Sequence, residues 1–69
     1  MKIENLIKMA NDIGDFFNAE EDKEIASDGV KTHIQRIWEP RMRKQLLIYF
    51  EKDGSDLSDL VKKALSKLE

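Results

Sequence analysis

Apolar residues recur at three- and four-residue steps along most of this chain, and this spacing limits the fold more than any other feature. The first stripe consists of Ile3, Leu6, Ile7, Ala10, Ile13, Gly14 and Phe17. Such steps place residues on one face of an α-helix, which repeats about every 3.6 residues. No segment has the sustained apolar–polar alternation of a strand. The pattern therefore predicts an all-α protein.

The stripes predict four short helices in a single helical domain covering residues 1–69. We expect them at residues 2–18, from the acidic turn after Asn18 to about Trp38, at 40–52 and at roughly 58–68. The later stripes are Ala26, Val30, His33, Ile34 and Ile37, then Met42, Leu46, Tyr49 and Phe50, then Leu57, Leu60, Val61, Ala64, Leu65 and Leu68. The second stripe keeps its phase across Gly29, which favours an unbroken helix. Short connections predict that consecutive helices pack as neighbours.

Three residues mark helix boundaries or contacts in this interpretation. Pro40 disfavours helical geometry at the residue before it and suits the first turn of a helix, so a corner is expected between the second and third helices. Ser58 is the expected N-cap of the fourth helix. Gly14 costs about 1 kcal/mol relative to alanine inside a helix, which predicts the close approach of another helix.

Charge is unevenly distributed, although the net charge is only −2. Residues 1–30 carry three lysines and eight carboxylates, whereas residues 31–44 carry five basic side chains and one carboxylate. The basic middle is expected to face the acidic N-terminal part or an acidic patch on a partner. Bulk nucleic-acid binding usually needs a larger basic excess, so a nucleic acid is not the expected partner.

The residue inventory argues against catalysis by the chain alone. It contains no cysteine and one histidine, His33, and its three glycines are isolated rather than grouped in a phosphate-binding loop. We therefore predict no catalytic, cofactor-binding or metal-binding residues. No apolar run reaches the ~20 residues of a membrane span, and a signal-peptide core is absent. These features predict a cytoplasmic location.

The segment from His33 to Lys44 has the most distinctive composition. It holds the only tryptophan, the only proline and all three arginines. Arginine and tryptophan are enriched at interface hot spots, which favours a partner-binding corner. In the alternative interpretation, Trp38 closes the small core, the arginines solvate the corner, and Glu39 pairs with Arg43. His33 itself is expected to be half-buried and hydrogen-bonded, or to lie at the edge of a docking surface.

Two motifs of the chain are distinctive. The first is Leu-Ile-Lys-Met-Ala-Asn-Asp-Ile-Gly-Asp-Phe-Phe at 6–17, and the second is His-Ile-Gln-Arg-Ile-Trp-Glu-Pro-Arg-Met-Arg at 33–43. Together they resemble the formate dehydrogenase delta subunit family. A weaker match extends over 57–65. The resemblance implies an accessory subunit of a cytoplasmic, NAD-dependent, molybdenum-containing formate dehydrogenase. It also implies a role in assembly or stability of that complex.

In such a complex the resemblance places every redox cofactor on other subunits. The large alpha subunit would hold the molybdenum–pterin cofactor and iron–sulfur clusters, and the beta and gamma subunits would hold FMN, further clusters and the NAD site. We predict docking on the alpha subunit through residues of the two motifs, namely Asn11, His33, Arg36, Trp38, Glu39, Pro40, Arg41, Met42 and Arg43. Trp38→Ala or Arg41→Glu should then release the chain while leaving its helicity intact.

Two other functions remain as alternatives. A small helical nucleic-acid-binding protein would use the basic middle of the chain to contact phosphates. A homo-oligomeric helical scaffold would use surplus apolar surface, since Met9 and Phe16 lie beside the stripe of the first helix. Salt-dependent binding would reveal the first, and the mass of the protein in solution would reveal the second.

Overall fold

A computed structural model describes residues 1–68 and contains four helices in that range. They are α1 (Ile3–Phe17), α2 (Lys23–Ile37), α3 (Pro40–Lys52) and α4 (Asp59–Ser66). The all-α prediction is confirmed, and α2 is continuous through Gly29. The observed helix bounds differ from the expected ones most clearly at the end of α4, which ends at Ser66 rather than near residue 68.

Local capping explains where α2 and α4 begin and where α3 ends. The Asp22 carboxylate accepts hydrogen bonds from the backbone N–H groups of Glu24 and Ile25 and so caps α2. Ser58 caps α4 in the same way through the N–H of Val61, as predicted. Gly54 follows α3 with a φ of +69°, a left-handed conformation that side chains with a Cβ rarely adopt.

Pro40 is the first residue of α3 and forms the expected corner. Trp38 and Glu39 both have extended backbones, with ψ of 140° and 147°. Two successive extended residues turn the chain sharply, and α3 packs on α1 and α4 but makes little contact with α2. The prediction that consecutive helices are neighbours is therefore confirmed for α1 with α2 and α3 with α4, and wrong for α2 with α3.

Helix α1 contacts all three other helices, and α2 and α4 make the most extensive pairing. The fully buried core side chains come from every helix and include Leu6, Val30, Ile34, Leu46, Val61 and Leu65. Ile37 was predicted in the core stripe, yet it is 68% exposed. The buried row of α2 instead continues from Ile34 to Trp38, because the chain leaves the helix at that point.

Gly14 permits the close helix approach that the sequence predicts. A Cβ at this position would lie 2.8 Å from Cγ2 of Val61 and 3.2 Å from Oγ of Ser58. Both residues belong to α4 or its cap, so the glycine sets the spacing between α1 and α4. None of the helices within residues 1–68 combines the length and apolar character needed to cross a bilayer.

Candidate partner-binding groove

An open apolar groove runs between α1 and α2 and continues to the corner before α3. Three adjoining depressions form it, the largest about 480 Å³, and His33 lines all three. We call it the His33 groove; its apolar walls are Met9, Ile13, Phe16, Phe17, Ile37, Trp38 and Met42, and Asp12, Asp28, Gly29, Thr32 and Arg36 complete the lining.

Two large apolar side chains on opposite walls of this groove remain in solvent. Phe16 on α1 is 76% exposed, and Ile37 on α2 is 68% exposed. The surplus apolar surface predicted at Phe16 is thus present, whereas Met9 is half-buried. Apolar side chains clustered along a depression, rather than scattered singly, are typical of binding surfaces.

Gly29 shapes one end of the groove. A Cβ at this position would lie 2.5 Å from Cδ1 of the Phe17 ring, so the ring lies directly against the α2 backbone. Phe16 meets Phe17 edge to face, with ring centroids 5.1 Å apart. The two rings therefore form a continuous aromatic wall. Sequence reasoning treated Gly29 only as a possible interruption of α2 and missed this contact.

His33 lies at the centre of the groove and is half-buried, as expected. It lines two of the depressions together with Asp12 and Ile13 of α1. No hydrogen bond within residues 1–68 involves its imidazole, so the expected bond to a neighbour is not formed there. That His33 borders a docking surface stays a prediction, and the groove is the surface on which it can be tested.

Trp38 lies at the base of the corner and is only 5% exposed. It belongs to the hydrophobic core, and its backbone N–H bonds to the carbonyl of Ile34. The burial of Trp38 argues against the expectation that Trp38→Ala leaves helicity intact, because truncating a buried tryptophan typically costs about 3–5 kcal/mol. Met42, which also lines the groove, is half-buried beside the core.

The basic corner keeps its charge unpaired within the described chain. None of the ion pairs among residues 1–68 involves Arg36, Arg41, Arg43 or Lys44. Glu39 and Arg43 do not form the expected pair; instead Nη1 of Arg43 donates to the Gln35 carbonyl at 3.2 Å. Glu39, Pro40 and Arg41 are exposed at the corner but do not line the groove.

The acidic start of α2 pairs with Lys63 of α4 and Lys67 at its C-cap rather than with the basic middle of the chain. Nζ of Lys67 lies 2.7 Å from Glu24, 3.0 Å from Asp28 and 2.8 Å from Oγ of Ser27. Lys63 lies 2.8 Å from the other Glu24 oxygen. Hydrogen bonds from Lys63 and then Lys67 hold the pKa of Glu24 at about 2, against its ordinary 4.5. The sequence analysis missed this pairing.

Asn11 lies outside the His33 groove and joins α1 to the loop before α4. Its Nδ2 donates to the Asp56 carbonyl at 2.9 Å, and its Oδ1 accepts from the Ser58 N–H at 2.9 Å. The Tyr49 hydroxyl accepts from the Asp56 N–H at 3.1 Å. The first motif therefore includes an asparagine whose amide is already used to hold the fold.

The structure thus divides the predicted partner-binding residues into three sets. His33, Arg36, Trp38 and Met42 line one groove, whereas Glu39, Pro40, Arg41 and Arg43 lie at its basic corner and Asn11 lies elsewhere. Phe16 and Ile37 are additional candidates, and only the exposure of Ile37 departs from the predicted stripe. Within residues 1–68, no group of three imidazole or carboxylate side chains could hold a metal ion.

The fold and this groove define a small all-helical protein with an open apolar surface next to a basic corner. The family model described as NADH-dependent formate dehydrogenase delta subunit FdsD matches residues 5–65. The match spans most of the 69 residues, so the chain belongs to this family and the resemblance of the two motifs is confirmed. No curated protein and no solved structure gives a significant match.

Proposed function

We propose that this chain is a non-catalytic accessory subunit of a cytoplasmic, molybdenum-containing, NAD-dependent formate dehydrogenase. In this proposal it docks on the large alpha subunit and supports assembly or stability of the complex. Membership of the delta subunit family supports the association with formate dehydrogenase subunits. The His33 groove is the observation that carries the docking role, because it exposes Phe16 and Ile37 and includes Arg36, which forms no ion pair within residues 1–68.

We place all redox centres of the proposed complex on the partner subunits. The chain has no cysteine, and cysteine thiolates are the usual ligands of iron–sulfur clusters. The molybdenum–pterin cofactor and clusters would belong to the alpha subunit, and FMN, further clusters and the NAD site to the beta and gamma subunits. The delta chain would contribute binding energy and no electron-transfer group.

A gentle affinity purification of the tagged chain from its native host tests this proposal. Partners are identified by mass spectrometry, and molybdenum is assayed in the eluate. We expect the formate dehydrogenase subunits with molybdenum, which supports a permanent subunit of the holoenzyme. The large subunit without molybdenum would support an assembly role before cofactor insertion. Recovery of the chain alone, as a homo-oligomer or with nucleic acid would overturn the proposal.

Deletion of the chain from its host provides a second test of the proposed function. If the chain supports the complex, its deletion should lower the amount of assembled alpha, beta and gamma subunits, and an expressed copy should restore that amount. An assembled, fully active complex in the deletion strain would contradict a role in assembly or stability.

A further inference from the structure

The His33 groove has opposite charges at its two ends. At one end, Asp28 lines the groove with its carboxylate bonded to Lys67, and the exposed Glu20 and Glu21 in the turn after Phe17 supply the negative charge. At the other end, Arg36 lines the groove close to the start of α3, where Arg41 and Lys44 are exposed. A charge gradient along an apolar groove favours one direction of a charged occupant.

We propose that the His33 groove binds an amphipathic helix of the partner subunit, with the acidic C-terminal end of that helix at the Arg36 corner. This inference rests on the proposed function and names the surface and the kind of segment that would dock there. The N-terminal end of the bound helix would then lie at the acidic turn. That direction also suits the helix dipole, whose N-terminal end is positive and whose C-terminal end is negative.

The chemistry of the walls favours a helix over an extended segment. The lining is mainly apolar, with His33, Asp12 and Arg36 among its few polar side chains. An extended peptide would bury backbone N–H and C=O groups against these walls without partners, whereas a helix satisfies its own. Gly29 and Ile37 both line the groove and are eight residues apart on α2, about 12 Å along its axis. This length accommodates about two turns of a bound helix.

The distribution of ion pairs favours a partner segment over a second copy of this chain. Two copies packed groove to groove in opposite directions would bring the Arg36 corner of one to the Asp28 end of the other. Asp28 already bonds Lys67 at 3.0 Å, and Glu20 and Glu21 of the acidic turn lie outside the groove lining. The cations of the corner form no ion pair within residues 1–68, so a partner can provide carboxylates for them. A partner helix rich in Asp or Glu near its C-terminus would do so.

Ile37→Gln and Ile25→Gln form a matched pair that tests the groove. Both isoleucines lie on α2 and are largely exposed, at 68% and 59%, but only Ile37 lines the groove. Glutamine avoids adding a charge near either helix end. We expect Ile37→Gln to weaken binding of the full-length chain to the purified alpha subunit about tenfold or more, a typical hot-spot effect. Ile25→Gln should bind like the wild type.

Phe16→Gln on the facing wall is the second variant, and circular dichroism melts confirm that each variant folds. A photo-crosslinking amino acid in place of Ile37 should capture a helical segment of the alpha subunit with carboxylates near its C-terminal end. The same group in place of Ile25 should capture none. Arg36→Gln should weaken binding severalfold and reduce its dependence on salt, because a charge pair at the corner is removed.

The outcomes separate the two proposals. Failure of the wild-type chain to bind any formate dehydrogenase subunit would overturn the proposed function. If the wild type binds and the Ile37→Gln and Phe16→Gln variants bind with the same affinity, the proposal that the groove is the binding surface is overturned, while the proposed function stands. Crosslinks from position 37 to a second copy of the chain, to a basic segment or to an extended segment would also overturn the helix proposal while leaving the accessory role intact.

Discussion

Gly14→Ala should destabilise this protein, although the same change in an ordinary helix interior stabilises it. Alanine gains about 1 kcal/mol in helix propensity over glycine. Here the added Cβ would lie 2.8 Å from Cγ2 of Val61, a side chain that is fully buried and cannot move away freely. Overpacking of this kind typically costs about 1–3 kcal/mol. The net expectation is a loss of about 0–2 kcal/mol in the free energy of unfolding.

A double-mutant cycle with Val61→Ala isolates this contact. Val61→Ala removes both methyl groups, including the Cγ2 that the new Cβ would meet, and by itself costs about 1.5–3 kcal/mol. In that background Gly14→Ala should no longer destabilise, because the contact with Cγ2 is gone and the propensity gain of about 1 kcal/mol is opposed only by the 3.2 Å approach to Oγ of Ser58. The coupling between the two positions is therefore expected to be about 1–3 kcal/mol.

Urea unfolding followed by circular dichroism measures all four members of the cycle. A domain of this size has only about 3–5 kcal/mol of stability, so the titrations are run with trimethylamine N-oxide to keep the variants folded. Thr32→Ala, at an exposed position inside α2, is the control and should gain about 0.5 kcal/mol. Stabilisation by Gly14→Ala in the wild-type background, or a coupling near zero, would refute the close packing of α1 on α4.

Three other changes have defined expectations. Asn11→Ala should cost about 1–2 kcal/mol in urea titrations, because the loop before α4 loses two hydrogen bonds to the side chain; an unchanged midpoint would contradict this. Glu24→Gln should lower the melting temperature at neutral pH, since the folded pKa of Glu24 lies below its unfolded value. The difference from wild type should disappear as the pH falls from 4.5 to about 2, and a difference that persists at the acid end would exclude the Lys63 and Lys67 pairs as its source. Trp38→Ala should cost about 3–5 kcal/mol, comparable to the whole stability, so its far-ultraviolet dichroism should show loss of helix at 25 °C; retained helicity would show that the indole is not part of the core.

The segment predicted to bind a partner illustrates where sequence reasoning stops. The composition of residues 33–44 identified an unusual corner, and the groove does include His33, Arg36 and Met42. Residue type could not separate Trp38, which is buried, from Ile37, which is exposed, because they lie four and three residues after Ile34 at the end of α2 and both positions fit helical spacing. The direction of the chain after Ile37 decides which of the two points inward, and that direction depends on how α3 packs against α1.

The sequence by itself determined the helices, because their signals are local. Apolar periodicity, the caps at Asp22 and Ser58, and Pro40 each act within a few residues of the backbone that they control. Only the tertiary structure decided which helices touch. The pairing of Glu24 with Lys67 joins residues 43 apart in the chain, and such pairs depend on helix packing that no local pattern specifies. The groove between α1 and α2 has the same origin, since it is the apolar surface that this packing leaves uncovered.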